Sequence, residues 1–172
     1  MGWEIERRFL VQVDKHVWLG LGEGYHLRQG YVRNGEPSVR VRFGEPGGPR
    51  LTCKSGKGVR RKEVETTVPD DVAQALLMAA EDRTIEKIRF KIGPWELDRF
   101  LGALDGLALL EIELEHEHEV IPEPPDGVKV LREVTDDKRF VSGQLARMTP
   151  KKQRKLVKKA YKEVKGWKGL NG

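Results

Sequence analysis

Apolar and charged residues alternate along much of this chain, at the two-residue spacing that places successive side chains on opposite faces of a β-strand. The first such segment, residues 4–8 (EIERR), puts two carboxylates and a guanidinium on one face. Similar segments follow, separated by turns rich in glycine, proline or asparagine. Together they predict eight strands, at residues 3–13, 25–33, 38–43, 50–55, 59–68, 84–92, 95–100 and 107–117.

Helical periodicity is confined to a few short stretches. Apolar residues recur at helical spacing over residues 70–81, where Asp70 or Asp71 is the expected N-cap. Residues 142–148 fit a helical turn, residues 128–134 fit either a short helix or irregular chain, and residues 151–165 fit an amphipathic helix. Many strands with few helices predict a mainly β (α+β) fold, built as an antiparallel barrel or sandwich.

The charges are sorted by strand. Arginine occupies alternate positions of residues 38–43, basic residues those of 84–92, and glutamate those of 107–117. One solvated sheet face would explain any single strand, but solvent faces usually mix both signs of charge with neutral polar residues. Sorting over so many strands therefore favours a closed barrel of about eight strands, with charged residues lining its lumen. The apolar residues would then face outward, beneath covering helices.

Composition limits the other possibilities. The 172 residues are enough for one domain with a real core, and no apolar run reaches the ~20 residues of a membrane span. Residues 150–172 carry nine basic groups and one acidic group, so the net charge of +5 resides in this tail. We expect a domain at residues 1–149 and a basic helical tail at 150–172. The single Cys53 fits a reducing cytoplasm.

The expected lumen combines two sets of groups. Arginine and lysine bind phosphate oxygens, and clustered carboxylates suit Mg²⁺ or Mn²⁺. Together they indicate metal-assisted phosphoryl chemistry. The cations are Arg8, Arg40, Arg42, Lys54, Lys87 and Arg89, and the carboxylates are Glu4, Glu6, Glu63, Glu65, Asp98, Glu111 and Glu113.

These residues resemble the CYTH family, the triphosphate tunnel metalloenzymes. The family's N-terminal ExExK reads here as residues 4–8 (EIERR), with arginine in place of the usual lysine. The resemblance continues in order through VRVR at 39–42, TCKS at 52–55, KEVE at 62–65, EKIRF at 86–90, ELD at 96–98, EIE at 111–113 and TDDKRF at 135–140. It covers nearly all of residues 1–147 and implies an eight-stranded antiparallel tunnel that binds a triphosphate with a divalent metal.

The resemblance also implies roles for individual residues. Arg8 keeps the positive charge of the usual lysine but is not expected to transfer a proton, because arginine does not deprotonate. The residues expected to act in catalysis are Glu4, Glu6, Lys87 and Arg89. Those expected to hold substrate are Arg8, Arg40, Arg42, Lys54, Lys87, Arg89 and Lys138. Those expected to hold Mg²⁺ or Mn²⁺ are Glu4, Glu6, Glu111 and Glu113, with help from Asp98 or Glu63.

The favoured activity is hydrolysis of tripolyphosphate to pyrophosphate and phosphate. Other activities of the resembled family are class IV adenylate cyclase and thiamine, nucleoside or RNA triphosphatase. A non-catalytic binder of polyphosphate or nucleic acid is a third alternative. For the tail, docking on the barrel and disorder are equal expectations, contact with nucleic acid or polyphosphate is a minority one, and a homodimer is a further possibility.

Overall fold

Strands account for most of the regular structure of the chain. The computed structural model describes residues 2–164 and residue 170. Its strands are β1 (Gly2–Val13), β2 (Tyr25–Arg33), β3 (Ser38–Phe43), β4 (Arg50–Ser55), β5 (Arg60–Thr67), β6 (Thr84–Ile92), β7 (Trp95–Phe100), β8 (Ala108–Leu114) and β9 (Val128–Glu133). Its helices are α1 (Lys15–Gly20), α2 (Asp70–Ala79), α3 (Ser142–Arg147) and α4 (Pro150–Lys162). The predicted strand regions correspond to β1–β8.

The first eight strands close into an antiparallel barrel. They follow the order β5-β4-β3-β2-β6-β7-β8-β1, and an additional pairing of β5 with β1 joins the two ends. In that closing pair Glu4 lies opposite Arg61, and in the neighbouring pair Glu6 lies opposite Glu113. The predicted closed eight-stranded antiparallel barrel is therefore confirmed.

Strand β9 corrects the expectation of a helix or irregular chain at residues 128–134. One edge of β1 pairs with β5 at its beginning and with β9 at its end. The register shifts between Leu10 and Val11, so a bulge interrupts the alternation along β9. Val128 and Leu131 are consequently both buried, three residues apart as in a helix. The short helix α1, in a region expected to be a connection, was also missed.

The barrel has a polar end and an apolar end. Glu4, Glu6 and Arg8 of β1 face the lumen. The next residue of that parity, Leu10, is fully buried in a core that includes Phe100, Leu109 and residues of α3 and α4. Inward-facing rows thus change from charged to apolar along the strands, and the helices cover the apolar end.

Outward-facing apolar residues form a second core on the other side of the barrel wall. Phe9, Leu97 and Leu110 are fully buried there, against a cluster that includes Val128 of β9 and partly buried Val17 of α1. A third, smaller core lies beneath α2, where Leu77 packs with Val41 of β3. The inside-out distribution of charged and apolar residues is thus present in the fold.

The helix termini differ in how they are capped. Helix α2 has Pro69 as its N-cap residue, without a side-chain cap, so the expected capping by Asp70 or Asp71 was wrong. Helix α4 begins at a true cap, because the hydroxyl of Thr149 accepts a hydrogen bond from the backbone N–H of Lys152. Residues 165–169, 171 and 172 of the expected tail lie outside the described residues. In the described part of the chain, no helix is long and apolar enough to cross a membrane.

Candidate active site

The polar end of the barrel encloses a cavity of about 750 Å³. Among the described residues, eleven basic and nine acidic side chains line it, so the lumen can accept an anion and a cation together. The predicted site residues that line it are Glu4, Glu6, Arg8, Arg40, Arg42, Lys54, Glu63, Lys87, Arg89, Glu111, Glu113 and Lys138. Asp98 is the exception, since it lies behind the lining with no exposed surface.

Asp98 organises the cations of β6. Its carboxylate accepts hydrogen bonds from the ammonium of Lys87 and, at 2.7 Å, from both Nε and Nη2 of Arg89. Both cations line the lumen in front of it. Because Asp98 is buried and paired with two cations, it fixes the side chains of Lys87 and Arg89 and does not face the lumen.

Lys87 is a lysine with an unusual environment. Only 2% of the residue is exposed. Burial and the nearby guanidinium of Arg89 lower the pKa of Lys87, against the opposing effect of Asp98 and Glu111. Its ammonium is therefore easier to deprotonate than that of a lysine in water.

Arg8 joins three elements around the site. Its Nε donates to Glu111 at 2.6 Å, its Nη2 to Glu6 at 2.8 Å, and its Nη1 to the carbonyl of Phe140 at 3.1 Å. Burial lowers the pKa of Arg8, but the carboxylates of Glu111 and Glu6 outweigh that effect and raise it. Arginine at this position thus connects β1, β8 and the turn that carries Lys138.

Glu111 is paired with two buried arginines of the lumen. It accepts from Arg8 at 2.6 Å and from Nη2 of Arg89 at 2.9 Å. Burial raises its pKa, yet Arg8, Lys87 and Arg89 together hold the pKa of Glu111 well below the usual range. It remains ionised throughout the physiological pH range.

A second set of carboxylates, Glu4, Glu6 and Glu63, lies where β1 pairs with β5 to close the barrel. Lys54 donates to both oxygens of Glu4 at 2.8 Å and forms an ion pair with Glu63 at 2.7 Å. Arg61 contacts Glu4 at 3.4 Å and Glu6 at 3.3 Å. These carboxylates are neutralised by neighbouring cations.

Glu113 differs from its acidic neighbours because no cation forms an ion pair with it among residues 2–164 and 170. Partial burial and the carboxylates of Glu4, Glu6 and Glu63 raise the pKa of Glu113. Like charges are therefore concentrated here, which is the electrostatic condition for binding a hard divalent cation. Within the described residues, however, no three potential ligands converge closely enough to hold a metal ion.

The arginines of β3 contribute donors that are not fully used. Nη2 of Arg42 contacts Glu45 at 2.8 Å, and Arg50 bonds to Glu65 at 3.2 Å. The buried Nε atoms of Arg40 and Arg42 have no hydrogen-bond partner within the described structure. Unsatisfied guanidinium donors around a cavity indicate a site for an anion with several oxygens.

Several lining residues were missed by the sequence analysis. Lys57 lies on the loop between β4 and β5 and Gln144 lies in the short helix α3, where strand alternation gives no signal. Tyr31 lies on β2 and accepts a hydrogen bond from Nε2 of Gln29 at 3.1 Å. Tyr31 was not among the predicted site residues, although its position on a predicted strand was known. Arg50 and Glu45 also line the cavity and were not predicted as site residues.

A closed β-barrel whose lumen holds both phosphate-binding cations and carboxylates defines a class of proteins that handle charged phosphates. No protein-family model matches the chain. It is, however, 37% identical over 173 residues to an inorganic triphosphatase from Acetivibrio thermocellus, covering 96% of this chain and 99% of the relative. A second inorganic triphosphatase, from Nitrosomonas europaea, is 35% identical over 156 residues, or 86% of this chain and 99% of that protein.

The fold agrees with that relationship. A crystal structure of an inorganic triphosphatase superimposes with a TM-score of 0.57 at 32% sequence identity, covering 87% of this chain and 98% of the other. With relatives this similar over nearly the whole length, the chain belongs to the CYTH, or triphosphate tunnel, family.

Proposed function

We propose that this enzyme hydrolyses inorganic triphosphate to pyrophosphate and phosphate within the barrel. The principal observation is the cavity of about 750 Å³ in which arginines and lysines surround a space also lined by carboxylates. The two relatives named inorganic triphosphatases support the same substrate. Cations bind the phosphate oxygens and stabilise the charge on the leaving pyrophosphate.

The lining favours a substrate without an organic base. Tyr31 is the only aromatic residue among the described residues that line the cavity, and it is 4% exposed. A nucleotide or thiamine group would need a stacking or apolar surface, which this lining does not offer. The inorganic triphosphate therefore fits better than the nucleoside, RNA or thiamine forms.

The substrate-binding group comprises cations from four strands. Arg8 comes from β1, Arg40 and Arg42 from β3, Lys54 from β4, and Lys87 and Arg89 from β6. Lys138 completes the proposed set from the turn at residues 138–140, whose Phe140 carbonyl accepts a hydrogen bond from Arg8. Asp98 is assigned to positioning Lys87 and Arg89, which replaces its expected role as a metal ligand.

The carboxylates around Glu113 have the chemistry for a divalent metal, Mg²⁺ or Mn²⁺, although they do not converge on one point in the free site. The raised pKa of Glu113, caused by partial burial and by Glu4, Glu6 and Glu63, identifies the carboxylates whose mutual repulsion a cation would relieve. These four would hold it, with Glu111 in reach of the same lumen. When bound, such an ion supplies neutralisation of phosphate charge and lowers the pKa of a coordinated water.

In the free site the cations and carboxylates of the lumen are paired with each other, and binding of the ligands would replace these ion pairs. Lys54 is paired with Glu4 and Glu63, and Arg8 with Glu6. Triphosphate would take over the cations, which would release the carboxylates toward the metal. This exchange explains why a lumen with no preformed metal geometry still has the residues for one.

Three broader properties belong to the proposal. The single Cys53, a free thiol, supports a reducing cytoplasmic location. A homodimer is retained as an open prediction, to be measured by light scattering. The division into a domain at 1–149 and a tail at 150–172 is likewise retained, although α4 shares a core with the barrel through Leu156 and Ala160.

The test is a substrate panel with all products measured. Tripolyphosphate, ATP, thiamine triphosphate and RNA 5′-triphosphate are each incubated with Mg²⁺, with Mn²⁺ or with chelator, and phosphate, pyrophosphate and cyclic AMP are quantified. We expect equimolar phosphate and pyrophosphate from tripolyphosphate. Cyclic AMP with pyrophosphate from ATP would instead identify the protein as a cyclase. No product from any triphosphate would indicate a non-catalytic binding protein.

Matched variants connect the activity to the lumen. Glu6→Gln and Lys87→Ala should abolish turnover, because they remove an acidic and a basic member of the site. Glu81→Gln and Lys129→Ala are the controls, since both residues are exposed and lie outside the cavity. Equal loss in the controls would mean that the activity does not come from this lumen.

A further inference from the structure

Helix α4 has two faces with different partners. Leu156 and Ala160 are buried in the core at the apolar end of the barrel. Nε2 of Gln153 donates to the carbonyl of Leu145 at 2.9 Å, and the hydroxyl of Tyr161 donates to the carbonyl of Val11 at 3.1 Å. One side of the helix is therefore fixed against the barrel, and its rotation is determined.

The opposite face is almost uniformly cationic. Within Pro150–Lys162 all basic residues are exposed, and one ion pair is present among the described residues, between Lys159 and Glu163 at 3.3 Å. The first turn holds no acidic residue, although acidic residues are favoured at that end of a helix. The exposed cations are Lys151, Lys152, Arg154, Lys155, Lys158, Lys159 and Lys162.

This arrangement of charges destabilises the helix when nothing is bound to it. Lys151 and Lys155, Arg154 and Lys158, Lys155 and Lys159 are like charges four residues apart, and such pairs repel each other. A surface selected only for solubility usually mixes acidic residues among the basic ones. The charge on α4 is therefore better suited to an external polyanion that would neutralise it.

The chemistry of the face narrows the choice of polyanion. An amphipathic helix binds a membrane through its apolar side, and here that side is occupied by the barrel. Proteins that hold single-stranded nucleic acid usually add aromatic side chains on which bases stack. On α4 the one aromatic residue, Tyr161, is half-buried with its hydroxyl bonded to the barrel.

We propose that the exposed face of α4 is a binding surface for linear inorganic polyphosphate. Lysine ammonium groups act as point charges that bind phosphate without requiring a base or sugar. Thirteen residues of helix extend roughly 20 Å, enough to contact several successive phosphates of an extended chain. This surface is separate from the lumen, so the binding is expected whether or not the lumen hydrolyses triphosphate.

One residue after the end of α4 contacts the turn that contributes to the cavity lining. Arg139 bonds to Glu163 at 3.1 Å, directly after the end of α4, and its neighbour Lys138 lines the lumen. The C-terminal end of α4 is therefore connected to the turn of Lys138, while the lysines of its exposed face do not line the cavity.

The experiment measures binding of long-chain polyphosphate to the full chain by calorimetry over a series of salt concentrations. Excess tripolyphosphate occupies the lumen. A chelator removes divalent metal and so prevents turnover. Lys151→Gln/Lys155→Gln/Lys158→Gln is compared with Lys15→Gln/Lys62→Gln/Lys129→Gln, which removes the same charge from exposed lysines elsewhere. Thermal melts verify that both variants fold.

We expect the α4 variant to bind polyphosphate about tenfold more weakly and with a salt slope smaller by about two, while the control changes by less than about threefold. Equal losses in the two variants would overturn the proposal, as would complete displacement of polyphosphate from the wild-type protein by tripolyphosphate. Equally tight binding of a single-stranded RNA, or of vesicles rich in anionic lipid, would contradict the assignment to polyphosphate. Tripolyphosphate turnover is measured separately and should be unchanged in both variants.

Discussion

Replacing Asp98 with asparagine tests how the cations of the lumen are held. Asp98 has no exposed surface, and its carboxylate faces both Lys87 and Arg89. Asparagine keeps the size of the side chain but removes its charge. The two buried cations would then lose the group that compensates them.

The size of the effect follows from the partners that remain. Removing one member of a buried ion pair typically costs about 3–5 kcal/mol. Arg89 would still have Glu111 at 2.9 Å, so we expect the lower end, about 3 kcal/mol. For a chain of this length that corresponds to a fall in melting temperature of roughly 6–12 °C.

The matched control changes another carboxylate bound to the same cation. Glu96 pairs with Arg89, but its side chain is 32% exposed, and ion pairs with that much solvent contribute about 0–1 kcal/mol. Glu96→Gln should therefore lower the free energy of unfolding, measured in urea, by less than about 1 kcal/mol.

A ligand measurement completes the test. Since Lys87 and Arg89 lack their compensating charge in Asp98→Asn, tripolyphosphate with chelator should raise its melting temperature more than that of the wild-type protein. If Asp98→Asn were no less stable than Glu96→Gln, the proposed positioning role of Asp98 would be refuted.

Three further predictions concern single residues. Because burial and Arg89 lower the pKa of Lys87, KM for tripolyphosphate should rise on the alkaline side at a lower pH than for an ordinary lysine, and Lys87→Arg should lack this limb. Arg8→Lys should lower the free energy of unfolding by about 2 kcal/mol, because one ammonium cannot replace three guanidinium hydrogen bonds, while turnover stays within about tenfold. Glu133→Gln should cost about 1–2 kcal/mol at pH 7, since it removes the charge that receives two hydrogen bonds from Arg7.

The interactions of Glu133 make the stability of the fold depend on pH. Burial raises its pKa, but hydrogen bonds from Arg7 and Thr135 outweigh that and lower it. The folded pKa is thus below the unfolded one, so this stabilisation is present above the usual carboxylate pKa and is lost as pH falls through the folded value. The free energy of unfolding, measured with denaturant between pH 7 and pH 3, should depend less steeply on pH in Glu133→Gln than in the wild-type protein. An unchanged dependence would contradict the assignment.

The predictions for Lys87→Arg and Arg8→Lys can also be contradicted by specific results. An alkaline limb that persists in Lys87→Arg would point to another titrating group. An Arg8→Lys variant as stable as the wild type would mean that the contacts to Glu6, Glu111 and Phe140 are not what holds this corner of the site.

The barrel was predictable because its strands have strict alternation and clear turns. Strand β2 begins and ends where the pattern indicated, and Gly93-Pro94 separates β6 from β7 as expected. Strand β9 was not predictable by the same reasoning, since the bulge places buried Val128 and Leu131 three residues apart. Alternation cannot distinguish such a strand from a short helix.

The lumen residues could be found from parity, but their partners could not. Parity places Asp98 and Glu111 on the same inward rows as the cations of β6. Only the register shows that Asp98 lies opposite Arg89, and only the packing shows that it lies behind the lining. Residues on turns, such as Lys57, have no parity and can be found only in three dimensions.

The most direct test of the central claim is the stoichiometry of products from tripolyphosphate. Purified protein with Mg²⁺ or Mn²⁺ should release one phosphate and one pyrophosphate per tripolyphosphate, with no release from Lys87→Ala and normal release from Lys129→Ala. Absence of both products from the wild-type protein with either metal, or unchanged release from Lys87→Ala, would contradict the assignment of triphosphate hydrolysis to this lumen.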